Sequence, residues 1–341
     1  MSESLENLSN QMIPAVEAEM RDIFQLRDSS SDLFYSMMHY HMGWVDEDLS
    51  PLEVKSGKRV RPLLCLLSCA AAGGDWRQAI PAAASIEIIH NFSLVHDDIQ
   101  DESPTRRGRK TLWQIWGSSQ AINTGDAMFA LAHSAMERLQ THGVSDSITL
   151  QAMRMLDNTC VALTKGQFSD MSFEERDDVS VDQYMNMING KTAALLSLST
   201  ELGALISGSG KSIVDHYRSF GSDLGLAFQI RDDILGIWGD ETVIGKSAAT
   251  DIETRKKSLP VLHGLSKDET LRQLYFVEEQ SDDFVDKVVA ILDSTGSRAF
   301  SEEYEKKYAN SAIAHLEAVS PEGYSGQALY QITIRLLQRQ F

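Results

Sequence analysis

The chain has 341 residues, of which 43% are hydrophobic, so it is long enough to bury a large core. Its formal net charge of −18 argues against a nucleic-acid-binding protein, because a phosphate-binding surface needs clustered Lys and Arg. No stretch reaches the roughly 18 consecutive apolar residues of a membrane span, and the polar start lacks the plan of a signal peptide. We therefore expect a cytoplasmic protein without stable membrane binding.

The predicted elements are all helical. Residues 1–10 are polar and are expected to form a flexible N-terminal tail, while 11–341 are expected to form a single all-α domain. Prolines, glycines and charged runs predict loops over 50–62, 103–111 and 239–257. Apolar residues at three- and four-residue spacing predict helices at 13–26, 33–42, 63–72, 79–101, 112–139, 147–171 and 181–206, one ending at 238, and others at 258–265, 283–293, 299–318 and 325–339. No pair of strands is predicted.

Three aspartates lie at the end of the long apolar helix predicted over 79–101: Asp97, Asp98 and Asp101. Carboxylates at a helix C-terminus oppose the macrodipole, so a positive partner is expected there. On a helix, Asp97 and Asp101 share one face one turn apart, and both can reach the same hard cations, for which Mg²⁺ is the natural choice. The competing interpretation is a solvated acidic helix end.

A second acidic pair, Asp232 and Asp233, lies at the end of another apolar helix. Two such helix ends facing each other would hold metal ions, with a substrate diphosphate completing the coordination. Lys and Arg side chains would help to stabilise the charge of a departing diphosphate. The candidate cations are Arg106, Arg107, Lys191, Lys246 and Lys256, although each one alone is also compatible with ordinary surface charge.

Together these motifs resemble the trans-isoprenyl diphosphate synthases, the polyprenyl synthetase family, over about 55–265. The matching segments are GKRVRP at 57–62, EIIHNFSLVHDDIQDESPTRRG at 87–108, GKT at 190–192, FQIRDDILGIWGD at 228–240 and GKSAATDIETRKKS at 245–258. The resemblance implies an antiparallel helical bundle around a deep central cavity and a homodimer. It also implies Mg²⁺ as cofactor, three ions per active site, with Mn²⁺ as an alternative.

The resemblance further assigns roles by motif position. Isopentenyl diphosphate would be bound by Lys58, Arg61, His90 and Arg107. The allylic diphosphate would be bound by Arg106, Lys191, Thr192, Gln229, Lys246 and Lys256. Direct metal ligands would be Asp97, Asp101 and Asp232, supported by Asp98, Asp233 and Asp251. The implied catalytic set is Asp97, Asp98, Asp101, Arg106, Lys191, Asp232 and Lys246.

The second acidic motif departs from the family pattern. Where DDxxD is usual, this chain has DDILG, with Gly236 in the final position. The family's direct ligand is the first aspartate, here Asp232, so the loss is expected to be tolerated. Asp240 is a candidate to compensate if the helix continues that far.

Product length is expected to depend on the residues below the first aspartate motif. Phe92 lies five residues before Asp97, about 7.5 Å along a helix, and Ser93 beside it is small. Within the family, this pairing is similar to synthases that stop at geranylgeranyl diphosphate. Ile89 and Met128 are further candidates for the floor, and Phe92 could equally be ordinary core.

Two other functions remain open at this point. A class I terpene cyclase would ionise one allylic diphosphate and close rings, but it has no use for Lys58, Arg61, His90 and Arg107. A non-catalytic subunit of a heteromeric prenyltransferase could show an altered motif such as DDILG, but it would not need the complete set of aspartates and basic residues.

Overall fold

The computed structural model describes residues 3–25, 32–52, 57–239, 250–276, 283–321 and 323–338. Helices make up most of these residues, and the all-α prediction is confirmed. No helix in these ranges is long and apolar enough to cross a membrane.

The helices and strands follow one another with short connections. The α-helices are α1 (Glu3–Ile23), α2 (Leu33–Met42), α3 (Val60–Ala71), α4 (Ile80–Gln100), α5 (Leu112–Trp116), α6 (Ser118–Glu137), α7 (Asp146–Glu174), α8 (Val181–Ile188), α9 (Ala194–Ile206), α10 (Lys211–Trp238), α11 (Thr250–Glu253), α12 (Leu259–Lys267), α13 (Glu269–Tyr275), α14 (Phe284–Ser294), α15 (Ser297–Ala318) and α16 (Gly323–Gln338). The strands β1 (Thr105–Arg106) and β2 (Arg109–Lys110) lie between α4 and α5. Single 3₁₀ turns cover Trp76–Ala79 and Arg138–His142, and a π-helical turn covers Asn189–Ala193.

The contacts divide the chain into two compact units. The first comprises Met1–Asn158, Leu198–Asp215 and Ser320–Gln331. Helix α4 is its central element, because it is buried along most of its length and packs on α6, α3 and α1. The aspartates of the first motif therefore stand at the end of a helix that the apolar core holds in place.

The second unit comprises Thr159–Ser197, His216–Val319 and Ile332–Phe341. One apolar cluster in this unit joins α8, α10 and α12 through residues such as Tyr184, Ile230 and Leu259. A second cluster joins α10 to α11 and α14 through residues such as Ile237, Ile252 and Val288. These clusters fix the part of α10 that carries the second acidic pair.

The predicted flexible tail differs from the structure. Helix α1 already begins at Glu3, and Leu5 is buried. The backbone N–H of Leu5 donates to the side chain of Gln331, 3.2 Å away, which ties the start of α1 to α16. The polar composition of this segment reflects a helix with one buried face. The expectation of one domain over the rest of the chain stays a prediction.

The absence of strands was also predicted wrongly, because β1 and β2 form a short antiparallel hairpin in which Arg106 pairs with Arg109. The two turn residues, Arg107 and Gly108, have φ values of 52° and 75°. Positive φ at both central positions is typical of the type I′ turns that close two-residue hairpins. Strands of two residues are too short to produce an alternating pattern in the sequence.

Three predicted helix boundaries shift for local reasons. Helix α3 begins at Val60, inside the predicted loop, with Pro62 in its first turn where a missing N–H is tolerated. The helix predicted over 112–139 is divided at Gly117, whose φ is 81°. The helix predicted over 181–206 contains the π turn between α8 and α9.

Candidate active site

The first acidic motif is positioned by the end of α4. The backbone N–H of Asp101 donates to the carbonyl of Asp97 at 2.9 Å, so the last turn holds these two residues one above the other. Asp98 is buried and accepts a bond from Nε of Arg106 at 2.7 Å. The predicted positive partner of this helix end is therefore Arg106, which also lies 3.6 Å from the Asp97 carboxylate. Asp98 holds an arginine, whereas Asp97 and Asp101 belong to the other side of the turn.

The hairpin presents both arginines that follow the motif. Arg107 adopts a left-handed backbone conformation that a non-glycine residue enters only at a cost of about 1–3 kcal/mol. Such strain is concentrated at functional sites, where the surroundings hold it in place. Gly57, in the first basic segment, leaves the space for this arginine, because a Cβ there would lie 3.0 Å from Nη2 of Arg107.

Arg61, His90 and Arg107 form a group of cations without a matching carboxylate. Nη1 of Arg61 lies 3.3 Å from Nε2 of His90. Burial lowers the pKa of Arg61, and Arg107 lowers it further, although Glu87 opposes the change. Nε of Arg61 is buried and has no hydrogen-bond partner among the described residues. Burial and the neighbouring arginines hold the pKa of His90 well below its ordinary value. An anion would relieve this like-charge repulsion and satisfy the donor.

Arg59 and His41 were not singled out from the sequence. Arg59 is buried between two carboxylates, 2.7 Å from Glu17 and 2.6 Å from Glu87. It supports the segment that carries Arg61 and has no charge left over for a ligand. Burial and the surrounding arginines lower the pKa of His41 to about 3. No local pattern indicated either role, because the partners lie on distant parts of the chain.

In the second unit, the π turn presents Lys191 and Thr192. Single π turns often occur at functional sites. Gly166 of α7 packs directly on this turn, since a Cβ there would lie 2.3 Å from the backbone N of Lys191. The Lys191 ammonium pairs with Asp170, an aspartate that the sequence analysis missed. Thr192 donates to Oε1 of Gln229 at 2.8 Å.

The second acidic pair divides into two environments. Asp233 is buried and accepts bonds from the Tyr184 hydroxyl, from Nε2 of Gln229 at 3.2 Å and from the backbone N–H of Leu259 at 3.2 Å. Burial raises the pKa of Asp233, against the effect of Lys256 and the Tyr184 bond. Asp233 thus joins α8, α10 and the start of α12, while Asp232 is only partly buried on the adjacent side of the helix.

Lys256 lies among four aspartates. Burial disfavours its charge, but the attraction of Asp233, Asp251, Asp170 and Asp232 is larger in total, so the pKa of Lys256 is raised. Its Nζ is 4.0 Å from Oδ2 of Asp251. Lys246 and Asp240, predicted as an allylic-side residue and as a compensating carboxylate, lie outside the described residues.

Known proteins share this sequence pattern and this fold. The polyprenyl synthetase family model matches residues 43–292. The chain belongs to the polyprenyl synthetase family. It is 37% identical to a (2E,6E)-farnesyl diphosphate synthase of Mycobacterium tuberculosis, over 85% of this chain and 81% of the relative. It is 41% identical to a geranylgeranyl diphosphate synthase of the same organism, over 70% of this chain and 67% of the relative.

A solved geranylgeranyl pyrophosphate synthetase from Pyrococcus horikoshii has the same fold. Its TM-score is 0.87 at 30% sequence identity, covering 99% of each chain. As a polyprenyl synthetase, the chain is a prenyltransferase that elongates trans-prenyl chains, and its substrates are isoprenyl diphosphates. The cyclase and the non-catalytic subunit considered from the sequence are therefore not retained.

The family is generally Mg²⁺-dependent, and the donors of this polyprenyl synthetase fit that ion. Carboxylate oxygens are hard ligands, and Mg²⁺ is commonly held by one or two carboxylates, with waters and substrate phosphates filling the shell. Within the described ranges no group of three or more His, Cys, Asp or Glu is gathered as for an all-protein cage. Asp97 and Asp101 on one turn, and Asp232 on α10, form the kind of sparse set that substrate phosphates complete.

Phe92 is buried on α4 and packs in an aromatic row. Its ring centroid is 5.1 Å from that of His96 and 5.3 Å from that of Phe129 on α6. The row continues to His133, 4.6 Å from Phe129, whose Nε2 lies 2.8 Å from Asp157. Ile89 and Met128 are fully buried, and Ser93 donates to the carbonyl of His90 at 2.8 Å.

Proposed function

We propose that this polyprenyl synthetase condenses isopentenyl diphosphate with an allylic diphosphate and releases geranylgeranyl diphosphate. The proposal includes three Mg²⁺ ions per active site and a homodimeric enzyme. The observation that carries the product length is the braced position of Phe92 below the first acidic motif.

Isopentenyl diphosphate binds to the cations of the first unit. Arg61 and Arg107 supply planar guanidinium groups suited to phosphate oxygens, with His90 against Arg61 and Lys58 contributing further charge. The buried Nε of Arg61, unpartnered within the described residues, supports this assignment because a phosphate oxygen would satisfy it.

The allylic diphosphate binds where the aspartates and the remaining basic residues lie. Asp97 and Asp101 in the first unit, and Asp232 in the second, bind Mg²⁺. When bound, Mg²⁺ neutralises the diphosphate and stabilises it as a leaving group. The protein side chains assigned to the same diphosphate are Arg106, Lys191, Thr192, Gln229 and Lys256, together with Lys246.

The reaction needs no side-chain nucleophile. The allylic carbon–oxygen bond breaks, and the diphosphate leaves with the electron pair. The double bond of isopentenyl diphosphate then attacks the allylic cation, and the released diphosphate takes the proton lost from the condensation product. The residues align the two substrates, exclude water and neutralise the leaving group.

Phe92 stops elongation because a growing chain that descends along α4 meets a buried ring. Phe129 and His96 support that ring on both sides, so it cannot turn aside without repacking its neighbours. The floor lies about 7.5 Å below Asp97 along the helix.

Helix α7 supports the homodimer. Val161 is 68% exposed and Phe168, seven residues further along the same helix, is 71% exposed. Apolar side chains two turns apart on one face are typical of a helix that packs on another surface. We propose that a second copy of this chain covers them. Phe168→Glu should then convert a dimer into a monomer in size-exclusion chromatography with light scattering, and an unchanged mass would contradict the assignment.

Product analysis tests the proposed function directly. Purified protein is incubated with Mg²⁺, labelled isopentenyl diphosphate and each allylic diphosphate, and the products are resolved by carbon number. A twenty-carbon linear diphosphate is expected, and Phe92→Ala should extend it. Phe34→Ala, which removes an exposed ring on α2, is the control and should leave the product unchanged. A fifteen-carbon end product would contradict the assigned length, as would an unchanged product from Phe92→Ala.

A further inference from the structure

Gly236 stands in the last turns of α10, where glycine has one of the poorest helix propensities. It is also the position at which the family's second acidic motif usually ends in aspartate. A glycine inside a helix commonly marks a close approach by another group. The neighbourhood of its Cα therefore indicates what the missing side chain has been exchanged for.

The group that approaches Gly236 is the carboxylate of Asp251. A Cβ on Gly236 would lie 2.6 Å from Oδ2 and 3.0 Å from Cγ of Asp251. Both distances are shorter than non-bonded carbon contacts allow. The Asp251 carboxylate thus occupies the space that any side chain at position 236 would need.

This location is one helical turn from Asp232. Residues i and i+4 of a helix lie on the same face, so a side chain at 236 would stand beside that of Asp232. The carboxylate of Asp251 reaches the same place from α11. We propose that Asp251 supplies the third carboxylate of the second metal-binding motif, and that Gly236 is the residue that admits it.

Several contacts hold Asp251 in this position. Ile252, the next residue, is fully buried in the same apolar cluster as Ile237 of α10. The carbonyl of Asp251 accepts a bond from the backbone N–H of Lys256 at 2.8 Å. The hydroxyl of Tyr275 in turn donates to the carbonyl of Lys256 at 2.8 Å. Asp251 is thereby fastened on both sides of its side chain.

The place already attracts a cation. Nζ of Lys256 lies 4.0 Å from Oδ2 of Asp251, so the field there favours positive charge. This inference rests on the proposed function, because it concerns the metal ions assigned to that site. It leads to an unusual consequence: Gly236→Asp, which restores the common motif, should weaken metal binding instead of strengthening it. The new side chain would displace Asp251 and place two like charges together.

The test is a mutant cycle read by metal binding. Mn²⁺ binding in the presence of inorganic diphosphate is measured by electron paramagnetic resonance for the wild type, Asp251→Ala, Gly236→Asp and the double variant. Each single variant should bind Mn²⁺ roughly tenfold more weakly, as expected for loss of a supporting metal ligand. The double variant should bind more tightly than either single variant, because the restored aspartate then has room.

Two further variants control the interpretation. Glu253→Gln removes an exposed carboxylate from the same short helix and should leave Mn²⁺ binding unchanged. Asp251→Asn preserves shape and should weaken binding as Asp251→Ala does. Thermal unfolding without metal identifies any variant that fails to fold, and Asp251→Asn against Glu253→Gln then decides the question.

Three outcomes would overturn the proposal. Tighter binding by Gly236→Asp with Asp251 intact would mean that the two positions do not compete. Unchanged binding by Asp251→Asn would mean that this carboxylate does not serve the metal. Absence of Mn²⁺ binding by the wild type would overturn this inference and the proposed metal site together, whereas the first two outcomes leave the proposed function standing.

Discussion

The two regions that contain the predicted site residues carry charge in different ways. In the first unit, Arg61 and Arg107 are partly desolvated beside each other, and neither has a carboxylate ion-pair partner among the described residues. In the second unit, Lys256 lies among four carboxylates that favour its charge. The first region is arranged to receive an anion directly. The second has excess negative charge, so a diphosphate can bind there only when metal ions reverse the local field.

Metal removal should give the largest difference between the two regions. Treatment with a chelator should reduce turnover by at least roughly 10²–10³-fold, since the leaving group loses its main stabilisation. Binding of the allylic diphosphate, measured by isothermal titration calorimetry, should be lost as well. Isopentenyl diphosphate should still bind, because its proposed site is made of arginines. Re-addition of Mg²⁺ controls for damage, and equal loss of both affinities would refute the distinction.

Substitution of Arg61 should affect only one substrate. Arg61→Gln removes a charged donor and should raise the KM for isopentenyl diphosphate by roughly 10- to 100-fold. The KM for the allylic diphosphate should change little in steady-state kinetics. Arg61→Lys should be intermediate, because an ammonium lacks the planar pair of donors. Arg77→Gln, an exposed arginine in the same unit, is the matched control; a rise in both KM values would contradict the assignment.

Tyr184 sharpens the comparison from the acidic side. Its hydroxyl donates to Asp233, so Tyr184→Phe leaves a buried carboxylate with one partner fewer. The free energy of unfolding should fall by about 1–3 kcal/mol. If Asp233 positions Asp232 as proposed, kcat/KM for the allylic diphosphate should also fall, while the KM for isopentenyl diphosphate should not. Tyr324→Phe, at an exposed tyrosine, is the control, and a loss of stability without the kinetic change would indicate a purely structural role.

The parts of the fold that were predictable depend on local pattern. The apolar helix that ends in Asp97, Asp98 and Asp101 was predicted over 79–101, and α4 ends at Gln100. Periodicity and composition act over a few turns, so they predict where such a helix lies and where it ends. They do not separate the three aspartates by role, which depends on Arg106 returning across the hairpin to Asp98.

The parts that could not be predicted depend on distant partners. Arg59 lies within the recognised basic segment, but its pairing with Glu17 and Glu87 requires three separate helical regions to meet. The exchange at Gly236 is similar, since the sequence shows a missing aspartate but not the carboxylate that occupies its place. Tertiary packing determines both outcomes, and no local propensity encodes them.

Acidification should reveal the smallest of these effects, in the stability of the first unit. His41 has its pKa lowered to about 3 by burial and then by Arg106, Arg107, Arg59 and Arg109. In the unfolded chain a histidine takes up its proton near its ordinary pKa of about 6.5. As the pH falls below that value, the unfolded state gains a proton that the folded state does not, so the free energy of unfolding decreases.

The expected contribution of His41 is a slope of up to about 1.4 kcal/mol per pH unit, developing below about pH 6.5. Urea unfolding of His41→Gln should therefore show a shallower loss of stability than the wild type between about pH 6.5 and pH 5. His142→Gln, whose imidazole is bonded to the carbonyl of Arg138, serves as the control and should keep the wild-type slope. Identical slopes for wild type and His41→Gln would mean that the arginines do not hold His41 neutral, and the description of this region as a preformed cation site would lose one of its supports.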